Sequence, residues 1–194
     1  MKQRIANLPS EQWTPEVERI FPIMLPEGSN AKGSDFNSIL VLAHHPEVSE
    51  SFLRFNAVLA RGVELPLRLK EIAILRTAWR CENAYEWGHH MLSGLSAGLS
   101  AAHYTELKSS SPGQLWTELE QAIIEATDAI IATHGLNDAL WTRLTRELTI
   151  KQVMELLYIV GCYTMLASIL NCAGTPIESM FTEQVAALDL PPLV

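Results

Sequence analysis

The chain is poor in the residues that would make it a disulfide scaffold, a thiol-disulfide catalyst or a nucleic-acid binder. Its 194 residues hold three cysteines, Cys81, Cys162 and Cys172, and no two form a Cys-x-x-Cys pair. An odd number spread this widely reads as reduced thiols. Fourteen Lys and Arg against 22 Asp and Glu leave a net charge of −8. That balance disfavours nucleic acid or an anionic membrane as the main partner, because both reward clustered cations. The opening "MKQRIANLPSEQW" lacks the apolar run of a signal peptide, so a cytoplasmic protein is expected. No alternating apolar and polar stretch of useful length occurs, which leaves no candidate strand.

What is present reads as helix almost throughout, so the expected class is all-α in a single domain. Thr14-Pro15 signals a helix start, with the helix expected to run to Met24. The segment 26–35, rich in Gly, Ser, Asn and Pro, reads as a loop. Further helices are expected from Phe36 to Ala43, from Pro46, from Pro66 to Arg80, up to Gly98, and from Ser100. "SSSPG" links to a long amphipathic helix over Gln114 to Thr133. Thr149 with Gln152 forms a capping box for a long apolar helix. That helix, "VMELLYIVGCYTMLASIL", approaches membrane-spanning length but carries Glu155. A buried or interface helix is the better reading, and its Gly161, Ala167 and Ser168 would let a neighbour approach closely.

The chemistry concentrates in "CENAYEWGHHMLSGLSAGLS", residues 81–100, and no Lys or Arg lies between Arg80 and Lys108. Projected at 100° per residue, Glu71 falls inside an apolar arc of Leu67, Ile72, Ile74, Leu75, Ala78 and Trp79. Arg68, Lys70, Arg76, Thr77 and Arg80 take the opposite side. A carboxylate facing protein is a functional-site signal unless a cation meets it. On the next helix, Asn83, Tyr85, Glu86, His89, His90 and Ser93 share a face that a plain solvated helix would fill with Lys, Arg and Glu. Glu86 and His90 stand one turn apart, as do Tyr85 and His89, so a carboxylate can orient an imidazole that titrates near neutrality.

Spacing then carries a resemblance. The redox branch of the carboxymuconolactone decarboxylase / alkylhydroperoxidase D superfamily has a Glu, then a Cys-x-x-Cys pair, then a His, followed by a "GLS" helix end. Glu71, Asn83, Glu86, His90 and Gly98-Leu99-Ser100 fall in that register, and residues 46–107 resemble the family best. Asn83 and Glu86 occupy both redox cysteine positions, and Cys81 lies two residues early. The decarboxylase branch also lacks the cysteines and keeps a Glu four residues before its His, as Glu86 precedes His90.

The resemblance implies an all-helical bundle that forms homo-oligomers (dimer, trimer or hexamer), with its site near a subunit boundary. Residues 1–45 would be an N-terminal helical extension and loop, 46–175 the helical core, and 176–194 a tail. It further implies general acid/base chemistry on a small organic acid or lactone, with neither metal nor cofactor expected. In that scheme His90 is the acid/base, Glu86 orients it and Glu71 relays a proton. Tyr85 and His89 bind substrate oxygens, with Asn83 and Trp87 completing the lining. Arg76 or Arg80 could hold a substrate carboxylate, although both project away from Glu71. The alternatives are peroxidase-like chemistry through Cys81 and a non-catalytic, small-ligand-binding oligomer. Cys162 and Cys172 are expected to be buried, Trp13, Trp116 and Trp141 to fill core or interface, and His103 and His134 to sit at surface or helix ends.

Overall fold

Side-chain caps set where the helices begin. Thr14, Asn83, Thr117 and Asn137 each accept a hydrogen bond from a backbone N–H three residues on, which satisfies a donor that the helix itself cannot. Thr117 and Glu120 complete a capping box that starts its helix at Glu118, later than Gln114. Thr149 and Gln152 cap reciprocally as the spacing predicts. The computed structural model describes residues 2–25, 31–109, 113–188, 190 and 191. Positions 26–30 of the expected loop, 110–112 of the linker and the last residues of the tail lie outside them. Among the described residues there are ten α-helices, one short 3₁₀ turn and no strand, so the all-α expectation holds.

The chain divides into two units. The first, Met1–Val63 with Ile169–Glu178, holds α1 (Pro15–Glu18), α2 (Asn37–Leu42), α3 (Pro46–Arg61) and the last turn of α9 (Ile150–Ala173). Its core includes Val17, Ile20, Phe21, Ile39, Leu42 and Leu53. Helix α1 stops well short of Met24 and continues as turns. Pro22 has no N–H to give the Glu18 carbonyl, and it disfavours helical backbone at Phe21. Gly174 ends α9 at φ +68°, where a side chain would also strike the Lys2 carbonyl. Arg4 and Ile5 donate to the Ala173 carbonyl beside it.

The second unit, Glu64–Ser168 with Ser179–Val194, holds the candidate residues singled out from the sequence. It is built on α4 (Leu67–Arg80), whose residues from Leu69 to Ala78 are all buried. Helices α5 (Ala84–Ser96), α6 (Ala101–Leu107) and α7 (Glu118–Thr133) pack on it, α8 (Asp138–Thr145) packs on α7, and α10 (Ser179–Ala187) lies on α5.

Burial all round α4 differs from the one-sided projection. Arg76 is 1% exposed, because Asp128 of α7 meets its guanidinium through both carboxylate oxygens (2.8 and 2.6 Å) while the Leu107 and Ser109 carbonyls accept from Nη1. Arg80 also lies 3.5 Å from Asp128. Glu155 on α9 is buried too, and accepts from the backbone N–H groups of Glu64 (3.0 Å) and Leu65 (2.8 Å) just ahead of α4. The one charge in the apolar stretch is thus a backbone anchor.

One expectation for a small residue is corrected. Cys162 is buried but Cys172 is exposed, since it falls on the outer face of α9. Trp116 is buried, whereas Trp141 keeps 41% of its surface; on the short α8, Leu140 and Leu144 alone turn inward. His103 and His134 sit at helix ends, His103 in the capping box of α6 and His134 as the left-handed cap of α7.

Candidate active site

Helices α4 and α5 form an antiparallel pair joined at Cys81–Asn83. Helix α4 ends in a Schellman motif, with Glu82 N–H donating to Trp79 and Asn83 N–H to Ala78. Glu82 takes the left-handed position at φ +50°, where glycine is the usual choice. The far end of α5 uses the same motif with Gly98 at φ +81°. Midway along, Gly94 lets α6 close in. A Cβ there would lie 2.7 Å from the Tyr104 hydroxyl, which donates to the Met91 carbonyl (2.7 Å).

This frame brings Glu71, Glu86 and His90 together. His90 Nδ1 lies 2.7 Å from Glu71 Oε2 across the helix pair. Its Nε2 lies 3.6 Å from Glu86 Oε2 on its own helix. The two carboxylates are nearly sealed off, with 4% and 6% of their side-chain surface exposed, while His90 keeps 18%. Helical spacing alone assigns the orienting role to Glu86. In the fold Glu71 makes the short hydrogen bond, and Glu86 stands by the nitrogen that remains open.

Electrostatics follow from that arrangement. Burial is the largest influence on His90 and pulls its pKa down. The charge and hydrogen bond of Glu71 and the charge of Glu86 together outweigh it, against a smaller opposing effect of Lys70. The imidazole therefore holds its proton to a pH above its ordinary 6.5. The Tyr163 ring meets His90 edge-on at 5.0 Å. Burial and the Glu71 charge raise the Tyr104 pKa, keeping that phenol a neutral donor.

The remaining predicted site residues are placed less uniformly. His89 is sandwiched between Tyr85 (4.4 Å) and Phe181 of α10 (3.9 Å). Asn83 is 1% exposed; its side chain caps α5 by accepting from Glu86 N–H (2.7 Å) and donates to the Ala167 carbonyl (3.3 Å). Trp87 is likewise 1% exposed, and its indole N–H donates to Pro191. Both hold the site helix in place. Cys81 caps the end of α4. Burial pushes its thiol pKa up, against weaker opposing effects of Thr164 and Arg80.

Sequence reasoning missed Tyr163, Tyr104 and Phe181. They approach from α9, α6 and α10, and only the spacing of small residues such as Gly94 hints at one of those approaches. Among the described residues, no group of three or more His, Cys, Asp or Glu is placed to hold a metal ion.

No protein-family model matches the sequence, and no curated protein matches it. Solved structures do. The debrominase Bmp8, as a cysteine-to-alanine variant in complex with 2,3,4-tribromopyrrole, is 16% identical, with 97% of this chain and 98% of that chain covered and a TM-score of 0.74. An uncharacterised peroxidase-related protein from Ralstonia eutropha, described as an alkylhydroperoxidase AhpD core, is 16% identical over 93% of this chain and 96% of its own, at TM-score 0.62. An Agrobacterium tumefaciens protein of unknown function, described as a putative antioxidant defence protein AhpD, is 19% identical over 70% of this chain and 94% of its own, at 0.63. At such identities the likeness establishes the fold.

Proposed function

We propose that this chain, an all-helical protein of the AhpD-like fold, is an enzyme whose His90 transfers protons to a small unsaturated acid or lactone. The observation that carries the reading is the 2.7 Å Glu71–His90 hydrogen bond in a nearly sealed setting, with Nε2 left outside that bond. Glu71 accepts a hydrogen bond from Nδ1–H and fixes the ring, so Nε2–H is the proton that can reach substrate. With its pKa raised above the ordinary value by the two carboxylates, His90 holds its proton to a higher pH and is suited to act as an acid.

In a decarboxylation, the bond between the ring carbon and the departing carboxylate breaks and carbon dioxide leaves. The electron pair passes into the conjugated carbonyl, and His90 Nε2–H then protonates the carbon that has gained electron density. One proton is taken up from solvent through His90 in each cycle, and Glu71 stays ionised throughout. Glu86, 3.6 Å from Nε2, adds to the negative potential that returns the imidazole to its charged form. Tyr163 and the Tyr85–His89 pair would face a flat, unsaturated substrate.

A second reading is thiol-dependent dehalogenation or peroxide chemistry through Cys81. Its support is the likeness to a debrominase and to AhpD-type proteins. The raised thiol pKa of Cys81 runs against it, since the thiolate is the nucleophile.

The test is a screen of lactone acids, β-keto acids, halopyrroles and peroxides against wild type, His90→Gln and Cys81→Ser. Turnover of a lactone or keto acid should fall about 10²–10⁴-fold in His90→Gln and stay unchanged in Cys81→Ser. Activity that survives His90→Gln sinks the proposal, and activity lost in Cys81→Ser selects the second reading.

A further inference from the structure

Helices α7 and α9 open on capping boxes whose reciprocal acceptors are Glu120 and Gln152, the usual residue types for that place. Helix α6 puts His103 there instead. Its Nδ1 accepts from the Ser100 backbone N–H (3.1 Å) and lies 2.7 Å from the Ser100 hydroxyl. A glutamine oxygen does not titrate. Burial pushes the Glu120 carboxyl up, but the Thr117 N–H and Arg68 more than offset it, so that acceptor stays ionised. Of the three acceptors, the histidine is the one that mild acid can remove.

A second donor closes the other side of the ring. Arg68 of α4 sets Nη2 3.1 Å from His103 Nε2. Its Nη1 donates to the Gly98 carbonyl (2.7 Å) and its Nε to Glu120 of α7 (2.5 Å). Trp116 meets the imidazole edge-on at 4.9 Å. A neutral imidazole has one ring lone pair and can serve one of the two donors. An imidazolium has none, and sets its two N–H groups against a backbone N–H and a guanidinium. Charge runs the same way. Burial and Arg68 disfavour the cation, and Glu120 and Glu106 offset them only in part, so the His103 pKa lies below its ordinary 6.5.

We propose that His103 is an acid-released latch on the corner between α5 and α6. Neutral, it holds Gly98, Leu99 and Ser100 against Arg68. Protonated, it leaves that place, uncaps α6 and lets the corner move. The corner ends the helix that carries His90, eight residues before Gly98. Acid thus slackens the candidate site from its far end, while His90, with two carboxylates beside it, keeps its proton.

The sign of the linkage is fixed. The folded chain binds the His103 proton more weakly than the unfolded chain does. Its stabilisation is therefore complete above the unfolded pKa of about 6.5 and is lost as pH falls through the lowered folded value. His90 has the opposite slope, on the other side of 6.5. The inference does not rest on the proposed chemistry.

Amide hydrogen exchange of the full chain, corrected for the intrinsic pH dependence of exchange, tests it beside His103→Gln. Gln supplies a capping-box acceptor that does not titrate. In wild type, protection of the Leu99 and Ser100 amides should fall as pH drops, by up to about tenfold per unit below 6.5. In His103→Gln it should stay level over the same range. The Thr117 amide, capped by Glu120, should stay level in both proteins. No fall in wild type, an equal fall in His103→Gln, or a fall at Thr117 that matches the one at Ser100 overturns the inference. Proton NMR of the wild-type imidazole needs no variant: His103 should titrate below about 6.5, and a value at or above that refutes the latch.

Discussion

Replacing Glu71 by Gln removes a charge while keeping a side chain of the same shape with an oxygen able to accept from His90. The carboxylate lies 2.7 Å from Nδ1 and is 4% exposed. An opposite charge within ~4–6 Å moves a pKa by roughly 1–3 units, at about 1.4 kcal/mol per unit. The short, poorly hydrated contact belongs in the upper part of that range. With Glu71 neutral, burial, already the largest influence on His90, is opposed only by Glu86 at 3.6 Å. The pKa should then fall from above 6.5 to below it.

Long-range proton–nitrogen NMR of the imidazole across the range in which histidine titrates reads this directly, without a substrate. A pKa within about half a unit of wild type, or above it, would refute the electrostatic account of the site. Stability supplies a second readout. The folded protein binds the His90 proton more tightly than the unfolded chain does. The resulting stabilisation is complete below the unfolded pKa of about 6.5 and is lost as pH rises through the raised folded value. Urea midpoints of wild type should decline over that window, and Glu71→Gln should lack this part of the slope.

Other substitutions test the scaffold. Glu155→Ala leaves the N–H groups of Glu64 and Leu65 without their acceptor and should cost about 2–5 kcal/mol in urea unfolding. Arg76→Met leaves the Leu107 and Ser109 carbonyls without this donor and Asp128 reliant on Arg80 at 3.5 Å, with an expected loss of roughly 3–5 kcal/mol by the same assay. The left-handed caps of α4 and α5 should respond with opposite signs. Gly98→Ala should lose about 1–2 kcal/mol and Glu82→Gly should gain about 1 kcal/mol, both visible as shifts in thermal melts.

Sequence patterning picked out the candidate residues before it reached their pairing. Glu71 stood out because it interrupted an apolar arc, and His90 because its helix face carried no Lys or Arg. Which carboxylate holds the imidazole is decided by how far apart two helices lie, and a projection of one helix cannot see that distance. Arg76 shows the same limit. Its burial depends on Asp128, 52 residues away, so the projection read it as an outward cation. Capping was more legible, since Thr117–Glu120 and Thr149–Gln152 act within one turn. Tyr163, whose ring meets His90, left no local signal, because it comes from another helix.

The helix pair that carries Glu71 and His90 is fastened at both ends. At one end Asn83 closes the turn onto Ala78 and reaches Ala167. At the other, Arg68 of α4 donates to the Gly98 carbonyl beyond α5 (2.7 Å) and is held in turn by Glu120 (2.5 Å). Such a frame behaves as a beam supported at two points rather than as a cantilever. Proton transfer at His90 would then proceed with little rearrangement of the surrounding dipoles, which is the term that preorganised sites lower. Loosening either support should slow the proposed reaction through positional spread while leaving the reacting groups themselves intact.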